Sequence, residues 1–419
     1  MTQEKKQVTK PGELHRPAPR FADFPHSEWT ARIEKARRLM RQEGIDLLML
    51  WNDRNIRYFA AYTSTHWATP SIPPLLAIIP VDHDPVAMTG EFFFSTAEAQ
   101  TWISDIRMIC KGYAYSEKTL GEIPIEVAAI VREIGYGNAN IALEMGPLGN
   151  MYIPRPLNDI QTLMRELPKA KFVDGDKVIW GCRGIKSPLE IERLIEAAAI
   201  HRQALGTVVQ EFRPGMTEAD VGNLFICSAY QNGAETVTTG SIKCGSDKEG
   251  MIDTKHTFDG VAIHKGDSLG LDMGVCHKGY WADMGRVISV GPITEDFKRY
   301  SERLIKSFEE IVLAAKPGMT VGELQRVAGE SMGLVACEET AGHGIGLDIH
   351  EPPFISARSD VVLEPGMALE LEPYLSTGSR KQGGHGYFHY ENLVIITERG
   401  CTPIYSLPAE ILQVAHPFT

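Results

Sequence analysis

The sequence predicts an α/β (α+β) protein of two domains, the larger, C-terminal one built from two similar halves. Three observations carry this expectation. Between residues 46 and 180, short apolar runs alternate with helix-patterned stretches, as in a layered α/β domain. The tetrad Pro-Gly-Met-Thr occurs twice, starting at Pro214 and Pro317, 103 residues apart, each time between amphipathic helical stretches. At 419 residues the chain is also longer than one average domain.

Residues 1–25 form a polar, proline-bearing lead-in with no apolar core of the kind a secretory signal needs. From Glu28 to Glu43, Trp29, Ile33, Ala36, Leu39 and Met40 follow helical spacing, with Ser27 as the expected N-cap and Gly44 as the stop. Strands are expected at 46–50, 75–81, 85–90 and 140–145, and helices at 123–135 and 157–168. These compose a mixed-sheet domain spanning residues 26–183. Residues 184–419 form the second domain. It opens with a long amphipathic helix at 186–212, where Pro188 suits the first turn. The first Pro-Gly-Met-Thr turn follows; a helix near 295–315 precedes the second. Pro-Gly makes the turn and Thr caps the helix it launches. The plainer alternative is that a good helix–helix turn arose twice. The matching flanking helices favour duplication.

The second domain is organised around Gly266–Asp283, GDSLGLDMGVCHKGYWAD. Leu269, Leu271 and Met273 alternate with Gly270 and Asp272, the period of a half-buried strand. A second strand returns through Asp283 to Val287, Ile288 and Val290. Asp272 and Asp283 then stand at facing positions of a hairpin, where two carboxylates repel unless a cation lies between them. Further candidates follow downstream. His343 sits between glycines in TAGHGIGLDIHEPP, with His350 seven residues later. Glu370 and Glu372 are two apart, on one face of a strand, and Glu391 opens the apolar run ENLVII. Taken singly, each of these residues is most often solvated or structural. Asp272, Asp283, His343, Glu372 and Glu391 together offer one imidazole and four carboxylates. That donor set suits Mn(II), Co(II), Fe(II) or Zn(II), and it exceeds the needs of one ion. Two ions bridged by carboxylates and a hydroxide fit it.

Composition excludes several classes. The net charge of −12, with no basic cluster to offset it, argues against a nucleic-acid partner. No apolar run is long enough for a transmembrane helix. The seven cysteines are scattered without a CxxC pair, which fits reduced thiols in a cytoplasm.

The order DMG…YWAD, GHGIGLDIHE, LEPGM…EP and a late Glu before an apolar strand resembles the creatinase/aminopeptidase P/prolidase family, an M24-type metallopeptidase family. The resemblance covers residues 186–405, and GIDLLML with NIRYFAAYTS resembles the family's N-terminal domain more loosely. It implies a pita-bread catalytic domain with pseudo-two-fold duplication behind a smaller creatinase-type domain, and a homodimer. It also implies that Asp272 chelates one metal, that His343 and Glu372 hold the other, and that Asp283 and Glu391 bridge both. His350 would serve the substrate, donating to the scissile carbonyl or stabilising the oxyanion. His256, in DTKHTF, falls near another substrate-site His of the family, and Glu372 is the expected proton acceptor.

That set implies hydrolysis of a C–N bond in an Xaa-Pro peptide or related small amide, using two divalent ions, Mn2+ or Co2+ foremost and Fe2+ or Zn2+ as alternatives. The expected partner is a small-molecule or short-peptide substrate. Three departures mark the substrate pocket. HEPPF puts Phe354 where prolidases have an arginine, HYEN puts His389 and Asn392 where RIED is usual, and Gly285 replaces a threonine. Phe354 and His389 are therefore expected to contact substrate. Arg380 and Lys381, in the Gly-rich 377–389 stretch, either meet an anionic substrate or lie solvated. Two other readings stay open: a non-peptide member of the fold (creatinase-like, small-amide or sulfonium-acid-cleaving), and a non-catalytic binding protein on a peptidase scaffold. Retention of all five ligands counts against the last.

Overall fold

The computed structural model describes residues 18–68, 74–110, 117–148, 152–238, 241–244, 262–333, 341–376, 387–404 and 411–415. The chain divides between Arg183 and Gly184 into two compact units.

In the first unit, strands β1 (Leu47–Leu50), β2 (Leu76–Pro80), β3 (Val86–Thr89), β4 (Asp105–Met108), β5 (Asn140–Leu143) and β6 (Lys171–Asp174) form one sheet. Their order is β4-β3-β2-β1-β5-β6. β1 runs antiparallel to β2 and parallel to β5, so the sheet is mixed, as expected. Every residue of β1 and β2 is buried, which is why both read as continuous apolar runs rather than alternating ones. The helices are α1 (His26–Glu43), α2 (Asp53–Ala60), α3 (Phe94–Gln100), α4 (Glu117–Glu133), α5 (Leu157–Glu166) and α6 (Asp176–Arg183).

Two predicted boundaries are corrected. α1 is capped by Pro25, whose fixed φ of −65° leads straight into the helix, and Ser27 lies inside the first turn. The predicted stop holds: Gly44 adopts φ 66° and its N–H bonds the Met40 carbonyl. α4 begins at Glu117, upstream of the predicted start, and carries Pro124 within it. Pro124 near Ile123 mimics a helix start in sequence, because proline is favoured in a first turn.

The second unit opens with α7 (Pro188–Glu211) and α8 (Glu218–Gln231). Ser187 and Glu190 form a reciprocal capping box at the start of α7. Then come β7 (Thr236–Val237), β8 (Ser241–Cys244), and the long pair β9 (Asp267–His277) and β10 (Tyr280–Val290). α9 (Glu295–Ala314) and α10 (Val321–Ser331) follow, then β11 (Gly342–Gly344), β12 (Glu351–Phe354), β13 (Ala368–Leu371) and β14 (Tyr374–Ser376). The last strands are β15 (Tyr387–His389), β16 (Asn392–Thr397), β17 (Gly400–Pro403) and β18 (Leu412–Gln413). One sheet has the order β18-β10-β9-β7 with β8 also on β9; another has the order β12-β11-β13-β16-β17; β14 and β15 pair separately.

The two repeated turns do the same work in each half. Thr217 caps α8 in a capping box with Asp220, and Thr320 caps α10 in one with Glu323. Each threonine also makes an isolated antiparallel bridge, Thr217 to Ala262 and Thr320 to Val362. Each half has its own core. Phe212, Phe225, Leu269, Leu271 and Ile288 pack in the first, and Phe308, Ile311, Leu324, Leu369 and Val394 in the second. The amide of Glu391 donates to the Gly285 carbonyl at 3.1 Å, stitching one sheet to the other. The predicted ligands stand around that junction.

Candidate metal centre

β9 and β10 are joined by Lys278 and Gly279, at φ 48° and 84°. A two-residue turn with both central residues left-handed matches the twist of a hairpin and fixes its register. Asp272 pairs with Gly285 and Asp283 with Gly274. The two acids are therefore diagonal neighbours on one face of the hairpin, each opposite a glycine, and do not directly face each other. The expectation of facing positions is corrected accordingly.

His343 arrives on β11, squeezed between β12 and β13. A Cβ at Gly342, whose φ is 144°, would stand 1.9 Å from the Glu370 carbonyl oxygen, so only glycine lets the strands close on the histidine. The buried His343 ring places Nδ1 2.9 Å from the Gly344 carbonyl. With Nδ1–H as the donor, Nε2 keeps its lone pair for the centre. Nε2 lies 3.9 Å from both Glu372 Oε1 and Glu391 Oε1. Burial, first of all, holds the His343 pKa below its ordinary value.

Phe388 and Tyr390 point away from the centre, against Phe297, Tyr300 and Phe308 of α9. Strand alternation then turns His389 and Glu391 inward. Arg286 holds this segment in place: its guanidinium donates to the carbonyls of Gly285 and Glu391 and lies 4.1 Å from the centroid of the Tyr390 ring.

Among the described residues, three groups of donor atoms each converge within 4.8 Å: Asp283, His343 and His350; Asp272, His389 and Glu391; His343, Glu372 and Glu391. All five predicted ligands are thus brought together. Asp283 Oδ1 and Glu391 Oε2 are buried and accept no hydrogen bond from the described residues. Burial, then the neighbouring carboxylates, push Asp283 and Glu391 well above the usual carboxylate range. For Glu372 burial acts in the same direction, but His389, His343 and His350 outweigh it and hold the carboxyl low. A cluster of buried, unsatisfied oxygens beside an imidazole lone pair is what divalent cations relieve, so the donor set fits them.

The other predicted site residues fall as follows. His350 is exposed, its ring 4.3 Å from that of His343 and edge-on to it. Phe354 is partly exposed on β12, paired across the strands with His343. His389 is buried among the carboxylates, and Asn392 accepts from Arg286 at 3.4 Å. His256, Arg380 and Lys381 lie outside the described residues.

Sequence reasoning missed the supporting roles, including that of Glu370, which it named only as a candidate beside Glu372. Glu370 is fully buried and its Oε1 accepts the Asp283 amide at 3.1 Å, so it seats the backbone that carries Asp283. Burial and then Asp283 raise its pKa well above the ordinary value. Lys186 and Glu351 form a buried ion pair at 2.9 Å. Glu351 also accepts the Asp348 amide, bracing the turn that carries His350. His201 Nε2 lies 2.8 Å from the carbonyl of Met273, next to Asp272. The available signal was a charged or polar residue inside an apolar run, as in ALELEP.

Residues 32–185 match the creatinase/prolidase N-terminal domain, and residues 192–398 match metallopeptidase family M24. The Xaa-Pro dipeptidase of Pyrococcus furiosus is 32% identical over 250 residues, which cover 58% of this chain and 69% of that one. The ectoine hydrolase of Halomonas elongata is 22% identical over 408 residues, 93% of this chain and 98% of the other. Among solved structures, an Xaa-Pro dipeptidase from Bacillus anthracis superposes with a TM-score of 0.75 at 26% identity, covering 92% of this chain and 99% of that one.

Proposed function

Because the chain belongs to metallopeptidase family M24, with a creatinase/prolidase N-terminal domain ahead of a pita-bread catalytic domain, we propose that it is a dinuclear-metal hydrolase cleaving the C–N bond of an Xaa-Pro peptide. The observation that supports this most is the convergence of Asp272, Asp283, His343, Glu372 and Glu391 in overlapping donor groups. Asp272 would hold one ion, His343 and Glu372 the other, and Asp283 and Glu391 would serve both. Mn2+ and Co2+ are the first metals to try. Bound there, two divalent ions supply an activated water and Lewis acidity toward a carbonyl oxygen. The chain's own groups do the rest. Glu372, half-buried and held low by its imidazole neighbours, takes a proton from the attacking water. His350 stands exposed beside His343, where it reaches the substrate carbonyl and carries part of the developing negative charge. Phe354 supplies an apolar wall in place of a cation.

That wall favours a second reading on the same centre, hydrolysis of a small non-peptide amide. The near full-length match to an ectoine hydrolase keeps it in view. A metal-reconstituted screen separates the two: Xaa-Pro dipeptides, longer Xaa-Pro peptides, creatine-like amides and sulfonium acids, each with Mn2+ and Co2+. Turnover of Xaa-Pro substrates alone is the expected result. Turnover of only the non-peptide amides selects the second reading, and no turnover with any metal overturns both.

A further inference from the structure

The direct partner of Asp272 across the hairpin is Gly285. A Cβ at Gly285 would lie 2.3 Å from Nδ1 of His389 and 2.9 Å from its Cγ. The His389 imidazole therefore fills the space that a side chain at position 285 would need. β15 fixes it there: Phe388 is fully buried against α9, and His389 pairs with Tyr374 of β14. The ring, only 4% exposed, lies among the carboxylates. Nδ1 is 3.9 Å from Asp272 Oδ2, and Nε2 is 3.6 Å from Glu372 Oε2 and 3.9 Å from Glu391 Oε2.

We infer that His389 is a sixth protein ligand of the dinuclear centre, bound to the ion that Asp272 holds, and that Gly285 is the residue that admits it. The inference rests on the dinuclear reading above. Separations of 3.6–3.9 Å are longer than hydrogen bonds. The 3.9 Å from Nδ1 to Asp272 Oδ2 matches the edge between two donors that share one ion, roughly 3–4 Å for bonds of about 2.1 Å. Asp272, His389 and Glu391 form such a set by themselves, with all donor atoms within 4.8 Å. His389 then belongs to the floor of the centre, and the expectation that it touches substrate gives way to Phe354 and His350. A second imidazole also moves the donor set toward Co(II), Zn(II) or Fe(II), because imidazole suits these better than Mn(II).

The competing role is a protonated His389 that neutralises the carboxylates without touching a metal. Full-length apoprotein, prepared by chelation and titrated with Co2+ in a calorimeter, distinguishes them. Fine structure at the cobalt edge then counts imidazoles per ion. The wild-type chain should bind two ions and show two imidazoles between them. His389→Ala should weaken one of the two sites at least ~100-fold and leave one imidazole. Gly285→Ala should reproduce that loss with His389 still in the sequence, because its Cβ displaces the ring. This variant keeps the test independent of any folding defect caused by the histidine substitution. Two ions, one imidazole and unchanged affinities in both variants would overturn the inference while leaving the dinuclear reading intact. Failure of the wild-type chain to bind Co2+ at all would instead bring down the reading beneath it.

Discussion

Glu391 shares donor distance with His343 and Glu372 on one side and with Asp272 and His389 on the other. Asp283 is buried, within reach of His343 and His350. Glu391→Ala and Asp283→Ala should each abolish metal-dependent turnover, and retained turnover in either variant contradicts the bridging assignment. His350 lies at the exposed side of the centre, so His350→Ala should lower kcat far more than metal content, read by elemental analysis of the same preparation. A large loss of bound metal would make His350 a ligand instead. His201 gives a pH prediction that needs no substrate. Burial, then the Arg286 charge, depresses its pKa to about 3, so the folded state keeps it neutral. The unfolded chain binds a proton at His201 below pH ~6.5, and stability is lost as pH falls from there toward 3. Against His201→Gln, the wild-type chain should lose an extra ~1.4 kcal/mol per pH unit below about pH 6 in urea titrations. Parallel curves would mean that His201 is not buried neutral. The residues proposed as ligands stand out in the sequence because an acid inside an apolar strand is costly. Glu370 and Arg286 carry the same mark, yet their work, seating backbone, shows only when two distant strands meet.

The repeated Pro-Gly-Met-Thr turns behave as the sequence implied, down to Thr217 and Thr320 as caps. Thr217→Ala and Thr320→Ala should each cost about 1 kcal/mol, and the two should add, since each acts in its own half. Thermal or urea unfolding of the single and double variants checks this; strong non-additivity would mean that the turns are coupled. The Lys186–Glu351 pair should weigh more. Both side chains are almost fully buried, so Lys186→Ala removes the cation from beside a buried carboxylate and should destabilise by ~3–5 kcal/mol. Neither partner of that pair announces itself, because 165 residues separate them. The β9–β10 hairpin shows how far pattern reading reaches. Period-two alternation located the first strand, and the apolar residues flanking Asp283 located the second. Their register depended on the Lys278-Gly279 turn, a short-range signal that acid spacing alone does not convey. The same limit applied to α1 and α4, where boundary chemistry at Pro25 and Pro124 moved the starts while the apolar stripes stayed as read.

At the scale of the whole chain, the donor residues of the proposed metal centre all lie in the second unit, residues 184–419. Cations that bind the folded state alone stabilise it by mass action, about 2.7 kcal/mol at a hundredfold excess over Kd. Divalent metal should therefore raise the unfolding temperature of the second unit and leave that of the first unchanged, with EDTA reversing the shift. Differential scanning calorimetry of the full chain reads both, and a shift confined to the first unit would misplace the centre. The fold and the convergence of the candidate donors were readable from the sequence because both rest on short, strongly patterned stretches: two tetrads, one hairpin, and the acid- or histidine-bearing segments downstream of it. The pocket around Phe354, Gly285 and His389 was visible only as a set of departures, because its meaning lies in which side chain fills which space. The most direct test of the account is metal stoichiometry by elemental analysis of the full-length protein, reconstituted with Co2+ and freed of loosely bound ions. Two ions per chain, falling in Asp283→Ala and in Glu391→Ala, is the result the account predicts. A wild-type chain that retains no metal, or two ions that survive the loss of either bridge, would contradict it.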